Sequence, residues 1–179
     1  MCGLAGIAGA SGSPAVLTAR VSEMQMHLRH RGPDDAGLHI DVAAGTVLAH
    51  TRLAILDLSD SGHQPMTCPD DRYTVVFNGE IYNFENLRAE LKAAGETFRS
   101  ESDTEVVLRL YARLGTAFVE RLDGMFALAI WDRIDRSCFL ARDPFGIKPL
   151  YVWRSQGAIA FASELRAVLK AELEPAELC

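Results

Sequence analysis

The chain begins with MCGLAGIAGA (residues 1–10), in which a thiol at Cys2 is followed by small and apolar residues. The run GLAGIAG (residues 3–9) shows no alternation of polar and apolar side chains, and loop-forming residues follow it. A short apolar run of this kind is typical of a strand that is covered on both faces. We therefore predict a buried strand over residues 3–9, with Cys2 directly before it.

The rest of the chain predicts helices and strands in a mixed order. Apolar spacing predicts helices over 13–30, 83–95, 102–115 and 164–173. Apolar runs predict strands over 46–56, 73–77, 80–82, 125–132, 138–143, 149–153 and 158–163. The segments 31–37 and 59–65 are typical of loops, and Asn78-Gly79 predicts a hairpin turn. This order favours an α+β fold with antiparallel sheets, and the doubly apolar strands indicate that both faces of those sheets are covered.

Length, charge and cysteine content narrow the class of protein. The 179 residues suffice for one domain with a substantial core, and a net charge of −6 argues against nucleic-acid binding. The apolar runs are too short to span a bilayer, and no signal peptide is recognisable. Cysteines at positions 2, 68, 138 and 179 form no CxxC pair, which favours a reducing compartment. We expect a cytoplasmic protein with no nucleic-acid or membrane partner.

Cys2 is a candidate nucleophile because removal of Met1 would give it a free amine. An α-amino group titrates near pH ~7.7–8.0 and a thiol near ~8.5, so one residue would carry both a base and a nucleophile. This is the arrangement of N-terminal nucleophile enzymes. Taken alone, a cysteine at position 2 is also compatible with an ordinary terminal residue.

Asn78 and Gly79 are candidates for an oxyanion hole. A thiol that attacks an amide generates an oxyanion, which requires preorganised hydrogen-bond donors. The Asn78 side chain offers amide N–H groups, and Gly79 offers an unobstructed backbone N–H. A plain hairpin turn would also account for this dipeptide, and both interpretations can hold together.

Arg52 and Asp103 carry charges suited to a free amino acid. Arg52 lies two residues from His50 in a predicted strand, hence on the same face, and its guanidinium could bind a carboxylate through two hydrogen bonds. Asp103 follows Ser102 at a predicted helix start, where Ser102 and Glu105 form a capping-box pattern. Asp103 could bind an ammonium group. A salt bridge at a strand edge and helix-end electrostatics are the simpler alternatives.

No motif in the chain indicates a metal or phosphate site. The histidines at positions 27, 30, 39, 50 and 63 show no metal-ligand spacing. Two charged loops, RHRGPDDAG (29–37) and ARDPFGIKPLY (141–151), lack the pattern of a phosphate-binding loop. We expect no metal and no cofactor in this domain.

Nine segments stand out in the chain. In order, they are MCGLAGI, RHRGPDDAG, AHTRLAILDLS, GHQPM, FNGEIYNFENLRAEL, SDTEVVLRLY, LDGMFALAIWD, ARDPFGIKPLY and FASELRAVL. Together they resemble class II glutamine amidotransferase domains, and most of all the N-terminal glutaminase domain of glutamine-hydrolysing asparagine synthetases. The resemblance extends from residue 1 to about residue 170.

The resemblance implies a fold and a reaction. The fold is a four-layer αββα sandwich of two antiparallel sheets, of the N-terminal nucleophile hydrolase type. The reaction is hydrolysis of L-glutamine to glutamate and ammonia through a thioester on Cys2, whose own amine is the base.

The resemblance also implies roles for the other candidate residues. It assigns the oxyanion hole to Asn78 and Gly79, and the α-carboxylate of glutamine to Arg52. It assigns the α-ammonium to Asp103 with Glu80. Backbone groups around Ile55 and Leu56 would line the same pocket.

One departure from asparagine synthetases concerns the ammonia acceptor. Those enzymes continue into a synthetase domain that uses ATP and Mg²⁺, and its SGGxDS-type loop does not occur in this sequence. We therefore expect residues 1–179 to be a single glutamine amidotransferase type-2 domain cut from a longer chain. ATP and Mg²⁺ would belong to the synthetase domain.

Three other interpretations remain open at this point. The chain could be a free-standing amidotransferase subunit for another acceptor, or a non-catalytic module that binds glutamine. It could also be an N-terminal nucleophile hydrolase that acts on a different amide. The presence of both Arg52 and Asp103 favours glutamine over other amides.

Overall fold

The computed structural model describes residues 1–55, 57, 59–155 and 157–173. Within them the strands are β1 (Gly3–Ala8), β2 (Asp35–Asp41), β3 (Thr46–Arg52), β4 (Met66–Thr67), β5 (Tyr73–Ile81), β6 (Gly124–Asp132), β7 (Ser137–Arg142), β8 (Tyr151–Ser155) and β9 (Ala158–Ala162). The helices are α1 (Pro14–Met26), α2 (Phe84–Ala93), α3 (Asp103–Leu114) and α4 (Leu165–Leu169).

The strands form two sheets that pack face to face. One sheet has the order β2-β3-β1-β9-β8 and the other the order β4-β5-β6-β7. All pairings within both sheets are antiparallel. Helices α1 and α4 cover the outer face of the first sheet, and α2 and α3 cover the outer face of the second. The four-layer αββα sandwich that the resemblance implied is therefore confirmed.

Three separate apolar clusters fill the three interfaces between layers. Side chains of β1, β3 and β9 alternate between the cluster under α1 and the cluster between the sheets. Ala5 and Ile7, for example, face α1, whereas Leu4 and Ala8 face the second sheet. Of the strands predicted to be apolar, β1 is buried on both faces over its full length, whereas β8, at the edge of its sheet, is largely exposed.

Alternation along the strands brings the candidate residues together. Cys2 is in phase with Leu4, Arg52 with Leu48, and Asn78 with Val76, and these three apolar residues all lie between the sheets. The candidates therefore gather at one end of the layer between the sheets. This placement depends on strand pairing over long sequence separations.

The predicted hairpin turn at Asn78-Gly79 is wrong. Strand β5 runs without interruption through both residues and pairs with β6 along its whole length. Gly79 has no positive φ, and an added Cβ would lie 2.5 Å from the carbonyl oxygen of Met125. The glycine is required by the close approach of a neighbouring backbone, not by a turn.

Other boundaries differ from the prediction in smaller ways. The predicted loop 31–37 ends early because β2 begins at Asp35 and pairs with β3 as an edge strand. The first helix ends at Met26 and not at residue 30, and tight turns connect it to β2. The last helix is limited to Leu165–Leu169. In the described part of the chain, no helix is both long and apolar enough to cross a membrane.

Candidate active site

A cavity of about 110 Å³ opens at the end of the layer between the sheets. Its lining includes Cys2, Arg52, Asn78, Gly79 and Asp103. Ile55 and Glu80, two further predicted residues, also line it. The structure thus unites all the predicted site residues except Leu56, which lies outside the described residues.

Cys2 is held directly before β1 by contacts with two other segments. Its Sγ lies 3.4 Å from the backbone nitrogen of Leu53, which donates to it, and 3.6 Å from the carbonyl oxygen of the same residue. The Nε of Arg31 donates to the carbonyl oxygen of Cys2 at 3.0 Å. Met1 is 56% exposed beside the cavity, so its removal would leave the Cys2 amine at the rim.

Asn78 lines the cavity and carries a buried hydrogen-bond donor that has no partner among the described residues. The residue is 2% exposed, and the donor is its Nδ2. Buried donors are rarely left unpaired, because each one costs about 1–3 kcal/mol. An unpaired donor on a residue that lines the same cavity as Cys2 is the arrangement expected of an oxyanion site.

The backbone N–H of Gly79 points away from β6, toward the open edge of β5. Phe126, opposite Gly79 in β6, uses both of its backbone groups to bond Asp143, with N–O distances of 3.3 and 2.7 Å. Gly79 and Phe126 therefore form a pair without mutual hydrogen bonds, and the backbone groups of Gly79 point away from β6. The edge of β5 is open there because β4 pairs only with Val75 and Thr74.

Arg52 ends β3 with its guanidinium beside the cavity. Nη1 donates to the carbonyl oxygen of Ser59 at 3.0 Å, and Nη2 donates to that of Asp57. Gly62 lies against the guanidinium and leaves no room for a larger side chain. Carbonyl oxygens of the loop thus hold the guanidinium in place beside the cavity.

Asp103 is positioned by the start of α3. Ser102 caps the helix by accepting from the Glu105 N–H at 3.4 Å, and Nη2 of Arg88 in α2 donates to the Ser102 carbonyl at 2.8 Å. The capping box is half formed, because the Glu105 carboxylate instead accepts from Ser100 N–H at 2.7 Å. One oxygen of Asp103 accepts from Ile81 N–H at 3.0 Å.

The Asp103 carboxyl is buried, and no cationic side chain among the described residues forms an ion pair with it. Burial raises its pKa to about 6, with the charge of Glu80 acting in the same direction and the N–H of Ile81 opposing it. A buried carboxylate with a raised pKa is suited to an incoming cation such as an ammonium group, which would favour its charged form.

We expect Asp103→Asn to stabilise the fold at pH 7. The folded pKa of about 6 lies above the usual 3.8, so stability falls as the pH rises through this interval. Above both pKa values the ionised Asp103 lowers the free energy of unfolding by its full amount, about 3 kcal/mol. An asparagine oxygen can still accept from Ile81. Urea unfolding should therefore show a gain for Asp103→Asn at pH 7 that shrinks toward pH 4.

Asp143→Asn is the matched control for this measurement. Burial opposes ionisation of Asp143, but the N–H groups of Lys148, Ile147 and Phe126 lower its pKa below the usual value. This carboxylate stabilises the fold when charged, so its substitution should destabilise the fold at pH 7. A pH-independent loss of stability in Asp103→Asn would contradict the interpretation of Asp103.

Sequence reasoning missed several residues of this site. Gln64, Thr104 and Lys148 line the cavity, and Arg31 holds the carbonyl of Cys2. Gln64 and Lys148 belong to segments interpreted only as loops, and Thr104 to a helix interpreted only by its apolar face. The order of the motifs was the only signal that could have selected them.

No metal site is apparent in the described ranges. They contain no group of three or more His, Cys, Asp or Glu side chains that could hold a metal ion.

The loop ARDPFGIKPLY, which had no assigned role, is organised by the Asp143 carboxylate and its backbone N–H partners. It brings Lys148 to the cavity, where its Nζ lies 3.6 Å from Sδ of Met1.

Comparison with known proteins finds a matching family model and similar curated proteins. A family model described as a glutamine amidotransferase domain matches residues 1–178. The chain is 44% identical over 169 residues to asparagine synthetase (glutamine-hydrolyzing) 3 of Arabidopsis thaliana. It is 40% identical over 176 residues to asparagine synthetase (glutamine-hydrolyzing) 1 of Bacillus subtilis. These matches cover 94% and 96% of this chain but only 28% and 27% of the relatives.

Solved structures support the fold. The glutamine phosphoribosylpyrophosphate amidotransferase of B. subtilis matches with a TM-score of 0.75 at 24% identity. That match covers 95% of this chain and 43% of the other chain. At this level of identity the likeness concerns the fold alone, and it agrees with the four-layer sandwich.

Proposed function

Since this chain belongs to the glutamine amidotransferase domain family, we propose that it hydrolyses L-glutamine to glutamate and ammonia through a thioester on Cys2. The observation that carries the proposal is the buried Nδ2 of Asn78, which has no partner among the described residues and belongs to a residue that lines the same cavity as Cys2. A thiol nucleophile and an unused buried donor in one cavity are what attack on an amide requires.

The reaction begins when Met1 has been removed. The free amine of Cys2 takes the thiol proton, and Sγ forms a bond to the side-chain amide carbon of glutamine. The carbonyl oxygen becomes an oxyanion that accepts hydrogen bonds from Asn78 Nδ2 and the Gly79 N–H. When the C–N bond breaks, the amine returns the proton to the leaving nitrogen and ammonia departs. Water then attacks the thioester and releases glutamate.

Two charges hold the α-end of the substrate during these steps. Arg52 binds the α-carboxylate, and Asp103 with Glu80 binds the α-ammonium. Both charged side chains are largely buried, at 8% and 5% exposure for Arg52 and Asp103. Ile55, which is 71% exposed, would complete the rim of this part of the pocket. Fixing one end of glutamine in this way orients the amide carbon at the other end.

The ammonia acceptor belongs to a partner domain or subunit. The curated relatives named above are asparagine synthetases of which this chain spans just over a quarter. We place the chain as the glutaminase part of such a synthetase, in which the remaining part uses ATP and Mg²⁺ as a ligase. The glutaminase part would need no cofactor. Cys2, Cys68 and Cys138 are free thiols, which supports a reducing cytoplasmic location.

The proposal is tested with L-glutamine and two analogues, each lacking one α-charge. The processed chain should release glutamate and ammonia in equal amounts from L-glutamine. For Nα-acetyl-L-glutamine and for L-glutamine α-amide, kcat/KM should fall by roughly 10- to 150-fold each, because a hydrogen bond to a charged group contributes about 1.5–3 kcal/mol.

Asp103→Asn assigns the analogue effects to residues. In this variant the penalty for Nα-acetylation should shrink, while the penalty for the α-amide should stay unchanged because Arg52 is intact. Equal penalties in the wild type and the variant would contradict the role of Asp103. A wild-type chain that releases no glutamate would overturn the proposed function.

A further inference from the structure

Gln64 connects the strand that carries Asn78 and Gly79 to the start of α3, which carries Asp103. The residue is 5% exposed and lines the cavity. Its Oε1 accepts from the backbone N–H of Phe77 at 2.7 Å, and its Nε2 donates to Oγ1 of Thr104 at 3.2 Å. The Phe77 N–H can only donate, which fixes the orientation of the amide. Phe77 directly precedes the oxyanion donors in sequence, and Thr104 directly follows Asp103.

The position of Gln64 follows from the early end of β4. This strand consists of Met66–Thr67 alone, and its pairing ends at Val75 of β5. Pro65 and Gln64, the next two residues outward, lie outside the strand. The side chain of Gln64 instead takes the N–H of Phe77, two residues further along β5. A side-chain amide therefore supplies the hydrogen-bond acceptor that a longer β4 would have supplied.

The hydrogen bond from Phe77 to Gln64 also limits the opening beside the oxyanion donors. Phe77, Gly79 and Ile81 present their N–H groups on the same side of β5. Gln64 occupies the first of these groups and Asp103 the third. Gly79 lies between them and faces the cavity. The two side chains thus set the limits of the open edge.

We infer that Gln64 is a positioning residue that fixes Asn78 and Gly79 relative to the start of α3. The inference rests on the proposed function. A bound glutamine spans this interval, with its α-ammonium at Asp103 and its amide oxygen at the oxyanion donors. If the distance between Asp103 and the oxyanion donors changes, the amide carbon no longer lies in line with Sγ of Cys2. A displacement on the order of 1 Å can cost about 10²-fold in rate.

Gln64→Met tests this inference, since methionine has similar length but cannot donate to Thr104 and offers the Phe77 N–H only a weak sulfur acceptor. We expect kcat for glutamine hydrolysis to fall by about 10²-fold. The Kd of L-glutamate should change by less than about threefold, because Arg52 and Asp103 keep their own contacts. Thr104→Val removes only one of the two bonds, and kcat should fall by about tenfold. The double variant should be no slower than Gln64→Met, since both changes break one bridge.

Gln25→Met is the matched control. The Nε2 of Gln25 donates to the carbonyl oxygens of Gly37 at 2.9 Å and His50 at 2.8 Å, away from the cavity. This variant also loses a two-bond bridge, so its thermal stability should fall while kcat and KM stay at wild-type values.

The outcomes separate this inference from the proposed function. If Gln64→Met loses stability as Gln25→Met does but keeps wild-type kcat, Gln64 is only structural and the inference is overturned. Independent, multiplying losses in Gln64→Met and Thr104→Val would also overturn it. If Gln64→Met does not fold, Thr104→Val decides, and wild-type kcat in that variant counts against the inference. A wild-type chain without glutaminase activity overturns the proposed function itself.

Discussion

Replacing Cys2 with alanine is expected to abolish glutamine hydrolysis, with a fall in kcat of roughly 10⁴-fold or more. The thioester route requires sulfur at this position, and no other described cysteine lines the cavity. The loss should be confined to the chemical step, because Arg52 and Asp103 do not depend on the thiol. Glutamate release measures the rate, and calorimetric binding of L-glutamate shows that the α-end of the site is intact.

Two controls separate the thiol from its amine and from the other cysteines. Cys138→Ala should hydrolyse glutamine at the wild-type rate, since Cys138 lies in β7 outside the cavity. A form that keeps one residue before Cys2, verified by intact mass, has the thiol but no free amine. Loss of a general base typically costs 10²- to 10⁴-fold, so this form should lie between the wild type and Cys2→Ala. Hydrolysis by Cys2→Ala at a measurable fraction of the wild-type rate would contradict the assignment.

The residues of the candidate site could be predicted from the sequence better than their local structure. Cys2, Arg52 and Asp103 are recognisable because a thiol, a guanidinium and a carboxylate carry their chemistry wherever they are placed. Asn78-Gly79 was selected for its donors, and the structure brings both residues to the cavity. The hairpin predicted from the same dipeptide was wrong, because local turn preference is weaker than pairing with β6 along nine residues.

The contacts that organise the site could not be predicted from the sequence. The role of Gln64 depends on where the pairing of β4 with β5 ends, which no local pattern encodes. The raised pKa of Asp103 depends on burial by elements distant in the chain. The sequence pattern indicated covered sheets and helices outside them, but the number of layers came only from the family resemblance. Long-range pairing determines all three features.

Asn78→Ala is expected to lower kcat by about 10²- to 10³-fold with a modest change in KM. This is the loss observed when one oxyanion donor is removed, because the donor acts only on charge that develops in the transition state. The unpaired Nδ2 makes the prediction sharper. Since this amide nitrogen has no partner among the described residues, its removal breaks no structural hydrogen bond, and urea unfolding should show little or no loss of stability.

Asn83→Ala is the matched control for the loss of an asparagine side chain. Asn83 lies outside the cavity, and its side chain bonds the backbone of Arg121 and Asp123 at 3.0 and 3.1 Å. This variant should lose stability and keep kcat, which is the reverse of the expectation for Asn78→Ala. Asn78→Asp is a further test of the donor. This variant keeps the shape of the side chain but replaces the donor with a carboxylate, which repels an oxyanion. Its kcat should therefore fall at least as far as that of Asn78→Ala. A wild-type kcat in Asn78→Ala would show that the buried donor serves no oxyanion, and the thioester mechanism would then lack the group that stabilises its first intermediate.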